Sequence, residues 1–139
     1  MEEQPMTDEE LKTKVASVLS DERPASSKAY SEVLHKLRAL AAAIEESLKP
    51  DAIEVRIEPG YRVNLGQQYT FVVRVPKAGL RDVLLRAYVP VDGFPVGLDL
   101  FDGQQRRCTN LDEIETEIIG FLAQPDVKHR LLALKDIAA

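Results

Sequence analysis

The chain has 139 residues, a formal net charge of -5, 45% apolar and 29% charged side chains, and a single cysteine. That length supports one domain with its own apolar core. One cysteine excludes an internal disulfide and a cysteine-rich zinc site, and two histidines exclude a His-rich metal centre. No basic start followed by an apolar run stands at the N-terminus, and no apolar segment approaches spanning length, so the composition predicts a cytoplasmic protein. Residues 1–50 carry 7 basic and 10 acidic side chains, residues 51–109 carry 8 and 7, and residues 110–139 carry 3 and 6. Acidic ends around a neutral, arginine-bearing middle argue against nucleic-acid binding, which needs many cation–phosphate contacts.

In chain order, "MEEQPM" reads as a frayed polar start. Thr7 and Glu10 have capping-box spacing ahead of Leu11, Val15, Val18 and Leu19, a short amphipathic helix with little else to hold it. "SDERPASS" breaks it, because Pro24 cannot continue a helix and the serines can cap a new one. Tyr30, Val33, Leu34, Leu37, Leu40, Ala41, Ile44 and Leu48 then recur at three and four, one apolar stripe of a long helix that Pro50 ends.

From Ile53 the period changes to two. Ile53, Val55 and Ile57 alternate with charge, "EPGY" reads as a turn, and Tyr61, Val63 and Leu65 alternate again up to a break at Gly66. Tyr69, Phe71, Val73 and Val75 form the inner side of a long strand that ends in "PKAG". Val83, Leu85, Ala87, Val89 and Val91 predict the next strand, and Phe94, Val96, Leu98 and Leu100 the one after. Asp92-Gly93 suits a primed two-residue hairpin, and Asp102-Gly103 allows a short fifth strand near Cys108. Pro90 and Pro95 lack amide donors and belong at an edge or bulge. Asn110 and Glu113 have capping-box spacing before Leu111, Ile114, Ile118, Phe121 and Leu122. Pro125 opens a last helix with Val127, Leu131, Leu134 and Ile137 inward.

The expected fold is therefore α+β: N-terminal helices, an antiparallel four- to five-stranded meander, and two C-terminal helices in two layers. Residues 1–25 read as an arm with a short helix, and 26–139 as a single domain. This order, with "LLRAYVPVDGFPVGLDLF" around an aromatic-Pro pair and "LDEIETEIIGFLAQPDV" after it, resembles the ubiquitin-conjugating enzyme and RWD fold from about Ser27 to Leu134. In the conjugating enzymes a catalytic cysteine lies between these segments, roughly where Cys108 stands here. Their His-Pro-Asn signature is absent, since Phe101 to Arg107 reads "FDGQQRR", and Gln104, Gln105 or backbone amides would have to support an oxyanion. Members of the RWD group commonly lack that cysteine and act as interaction modules.

Two readings of Cys108 stand side by side. Arg106, Arg107 and the helix starting near Asn110 would favour a thiolate, whereas a free cysteine at a strand end is commonly packing. His35 and His129 have no acidic partner at a telling spacing, and only proximity in space would pair Cys108 with His129. The carboxylates of "DEIETE" suit a helix N-terminus and a solvated face, and Asp102 suits its turn better than a cation site with Asp99. No phosphate loop, serine elbow or zinc motif is present.

By alternation, the outer sheet face groups Arg56, Thr70, Val72, Arg74, Leu84, Arg86 and Tyr88, and arginine and tyrosine beside aliphatics are interface types. The expected function is a non-catalytic interaction module, an adaptor or regulatory subunit, that binds another protein through Arg56, Arg74, Arg86 and Tyr88. No cofactor, metal, nucleic acid or membrane is expected, and a homodimer is compatible. The alternative is a thiol carrier using Cys108.

Overall fold

The computed structural model describes residues 7–19, 28–63 and 66–139. Helices α1 (Asp8–Leu19) and α2 (Lys28–Ser47) precede strands β1 (Glu54–Val63), β2 (Gly66–Val75), β3 (Leu80–Val89), β4 (Val96–Asp99) and β5 (Gln105–Cys108). Helices α3 (Leu111–Leu122) and α4 (Pro125–Ala138) close the chain. The five strands form one antiparallel sheet in sequential order, as the period-two segments predict. The expectations for "MEEQPM", for the Pro24 break and for Leu65 lie outside the described residues.

The long-helix stripe is the clearest case of pattern becoming packing. Val33, Leu37, Leu40, Ala41, Ile44 and Leu48 are all buried against the sheet's inner side, with Tyr30 and Leu34 partly so. Facing them are Val55, Tyr69, Phe71, Val73, Val75, Leu85, Ala87 and Val89, with Ile114, Ile118, Phe121, Val127 and Leu131 from the last two helices. Burying each large aliphatic or aromatic side chain stabilises by about 1.5–3 kcal/mol, so this layer dominates the fold's energetics. Tyr30 Oη and Tyr69 Oη hydrogen-bond, tying the first turn of α2 to β2.

Four local expectations are corrected. "EPGY" is not a turn: β1 runs through it, with a register shift between Pro59 and Arg62, and pairs with β2 as far as Val63 opposite Gly66. A bulge absorbs the proline and glycine, which is where an edge strand accommodates them. Asp92-Gly93 is not a two-residue hairpin either. The Gly93 amide donates to the Pro90 carbonyl, closing a turn over Val91 and Asp92 inside a longer connection. Gly93 itself has φ +92, and a Cβ there would stand 2.7 Å from the Ala29 carbonyl carbon, so glycine admits α2 close to this loop. On α4, Ala138 is buried while Ile137 is exposed.

The fourth correction re-phases β3. Phe71 faces Leu85 but Val72 faces Val83, so Leu84 is an extra residue on β3. Both Leu84 and Leu85 lie in the core, and beyond the bulge the alternation is inverted. Val83 thus moves to the outer face and Leu84 leaves it. Asp82, now on the helix side, pairs with Arg130 of α4 at 3.3 Å.

Candidate functional site: the outer face of the sheet

Helices α2, α3 and α4 bury their apolar sides on one face of the sheet. None of the residues of α1 is buried. The opposite face therefore has no helix packed into it among the described residues. Cross-strand register sets its rows: Arg56–Val72–Val83 in one, Glu58–Thr70–Arg86–Asp99–Gln105 in the next, then Gln68–Tyr88–Gly97–Arg107.

Val72 is fully buried and yet outside the core cluster. An ion pair spans its position. Arg81 of β3 bonds Glu58 of β1, and the line between them crosses β2 diagonally over Val72. Both charged side chains of the pair stay partly exposed.

The four residues expected to form the interaction surface share this face but differ in freedom. Arg56 is turned to the edge, where Nη1 donates to Glu45 Oε1 at 2.8 Å and to the Val55 carbonyl at 3.3 Å. Arg74 is exposed and makes no hydrogen bond or ion pair among the described residues. Arg86 sets its guanidinium 5.4 Å from the centroid of the Phe101 ring, a cation–π distance. Tyr88 is half-buried: its ring lies over Gly66, where a Cβ would come 2.5 Å from the phenolic oxygen. At Gly97, directly across from Tyr88, a Cβ would make only ordinary contact, 3.8 Å from the Tyr88 Cβ. Gly66 has no positive φ of its own, and a larger residue there would have to displace the Tyr88 ring.

Sequence pattern alone misses Phe101. The residue has φ +58, a left-handed conformation that is costly for a bulky side chain, and it is half exposed. Side-chain caps hold the loop in that shape. Asp99 Oδ1 accepts from the Phe101 amide at 3.0 Å, and Asp102 Oδ1 accepts from the Gln104 amide at 3.0 Å. The nearest signal in the sequence was the pair of aspartates flanking Leu100-Phe101, since Asx turns favour left-handed neighbours.

Both sheet edges are blunted. On β1 the Val55 amide donates to Glu45 Oε1 at 2.9 Å, Arg56 covers the Val55 carbonyl, and Pro59 has no donor. The amide bond of Val55, reinforced by the Arg56 charge, holds the Glu45 carboxyl below its ordinary pKa. On the other side β5 is only 4 residues long and runs straight into the cap of α3. Strand addition thus has little free edge to use.

Cys108 is fully buried opposite Val96 of β4. Burial, with smaller contributions from Glu117 and Glu113, pushes its thiol up to about 11. Arg106 does not oppose this. Its Nη2 bonds Asp102 at 2.8 Å, its Nη1 bonds Gln104 at 2.8 Å, and its Nε bonds Glu117 at 3.2 Å. The arginine ties the β4–β5 loop to α3. His35 and His129 are both exposed, so His129 offers a base to the surface while the thiol faces the core.

A depression of about 500 Å³ beside the first turn of α3 is lined by Arg107, Asn110, Asp112, Glu113, Thr116 and Glu117. Two of its three carboxylates have structural duties, Glu117 toward Arg106 and Glu113 at the helix cap. Asn110 Oδ1 accepts from the Glu113 amide at 2.8 Å, and Glu113 turns back to accept from the Thr109 amide and hydroxyl rather than from Asn110. Among the described residues, no cluster of three or more His, Cys, Asp or Glu has metal-binding geometry, and no helix is long and apolar enough to cross a membrane. No family model, no curated protein and no solved structure matches the chain.

Proposed function

We propose that this chain is a cytoplasmic, non-catalytic protein-interaction module of RWD-like design that binds another protein on the outer face of its sheet. The observation carrying the reading is the one-sided packing: three helices cover the inner face, while the outer face keeps Arg74, Arg86, Phe101 and Tyr88 at its surface. Arginine and aromatic side chains are enriched among the residues that dominate interfaces, and the rigid sheet holds the backbone beneath them in place before a partner arrives. The blunted edges leave the face, rather than strand addition, as the route to a partner.

The thiol-carrier alternative needs an accessible thiolate. A buried Cys108 held protonated at neutral pH supports packing instead. For the interaction reading, the doubly substituted Arg74→Glu/Arg86→Glu protein should keep its melting transition and lose the partner that the unmodified chain captures. Capture at unchanged strength by a folded double variant would reject the face.

A further inference from the structure

We infer that the outer face receives the α1 helix of a second copy of this chain, so that two molecules exchange helices reciprocally. The inference rests on the interaction reading above and names the occupant of that face.

Two unpartnered surfaces motivate it. The stripe of α1 is exposed along its length: Leu11 53%, Val15 46%, Val18 78% and Leu19 76%. A helix of 12 residues that buries nothing is marginal in water, because so short a segment gains little beyond its nucleation cost. It needs a surface to lie on. Among the described residues, the outer sheet face is the surface that lacks a helix.

Charge says how the two fit. The first turn of α1 carries Asp8, Glu9 and Glu10; Lys12 reaches Glu9 at 3.9 Å, Lys14 follows, and the last turn holds no basic residue. On the sheet, Arg56 and Arg81 are engaged by Glu45 and Glu58, which leaves Arg74, Arg86 and Arg107 on that face as cations with no ion pair among the described residues. Acidic turn against free arginines, and Leu11, Val15 and Val18 along Val83 and Phe101, satisfies both surfaces at once. Exchange between two copies makes the contact isologous, each copy giving a helix and receiving one. A helix of this length spans about 18 Å, so two such contacts bury on the order of 1,000 Å², at the lower end for specific association. The dimer is accordingly concentration-dependent and weakened by salt.

Sedimentation equilibrium on the full chain across a concentration series at low ionic strength tests this. The unmodified chain should be a dimer at high concentration. Arg74→Glu/Arg86→Glu should be monomeric, and so should Asp8→Lys/Glu9→Lys/Glu10→Lys. An equimolar mixture of the two variants should dimerise again, because each acidic α1 then meets an arginine face and each lysine α1 a glutamate face. A monomeric parent chain, a variant that still dimerises alone, or a mixture that stays monomeric would each overturn the exchange. Slowed amide exchange at Leu11–Leu19 in a monomer would place the helix on its own sheet and overturn it too. If the parent is monomeric while Arg74→Glu/Arg86→Glu still loses a foreign partner, only the exchange falls and the interaction reading stands.

Discussion

Iodoacetamide added to the folded protein at neutral pH should leave Cys108 almost unmodified. The size of the effect follows from the residue's surroundings. Burial pushes the Cys108 thiol up to about 11 from the 9.0 of an ordinary thiol. Each unit removes a factor of ten from the thiolate, so the reactive fraction at neutral pH falls roughly 100-fold before access is considered. Full burial adds the need for a local opening, which multiplies the protection. The assay compares second-order alkylation rates in buffer and in denaturant, read by intact mass. A native rate at least about 100-fold below the unfolded rate is expected. A native rate within about ten-fold of the unfolded one would refute the packing role and restore the thiol-carrier alternative. Alkaline stability gives a second reading. The unfolded thiol ionises first, so the contribution of Cys108 is complete below pH 9.0 and is lost as pH rises through about 11. Cys108→Ala should therefore show a shallower alkaline decline than the parent.

Three further outcomes test the scaffold. Gly93→Ala combines φ +92 with a Cβ 2.7 Å from the Ala29 backbone, and should cost about 2–5 kcal/mol in chemical denaturation; a loss below about 0.5 kcal/mol would contradict the close approach of α2. Arg106→Ala strands Asp102 and Glu117 and should cost about 1–2 kcal/mol, with faster amide exchange in residues 100–105 and incomplete rescue by lysine, which lacks the fork. Glu45 has a folded pKa below its ordinary 4.5, so its contribution is present above that pH and lost as pH falls through the folded value. Glu45→Gln should flatten the acid limb of stability measured by denaturant midpoint, and an unchanged limb would remove the role of this carboxylate at the β1 edge.

The layered fold was legible because both periods were strong. The three-and-four spacing from Tyr30 to Leu48 and the alternation from Tyr69 to Val75 each fit one regular geometry, and each became a buried side. What escaped was where a regular period breaks. Leu84-Leu85 is a pair of adjacent apolar residues within an alternating run, and only the register with Phe71 and Val72 shows that both turn inward around a bulge. Pro59-Gly60 carries turn chemistry, yet the pairing with β2 continues past it. Long side chains were least legible of all. Arg106 reads in sequence as a neighbour able to activate Cys108, but its side chain leaves in the other direction, to Glu117 and Asp102. Arg81 and Glu58 lie 23 positions apart and meet across β2, a contact no local spacing encodes. Arg56, Arg74, Arg86 and Tyr88 were placed on one face by alternation, whereas Phe101 depends on a left-handed turn outside any strand.

Photo-cross-linking from single positions addresses the outer face most directly. A photoreactive side chain at Thr70 sits in the middle of that face, and one at Leu132 sits on the exposed side of α4. Irradiation in the presence of a captured partner, or of a second copy, should give adducts from position 70 and none from position 132. Adducts confined to position 132 would place binding on the helical side and contradict the account.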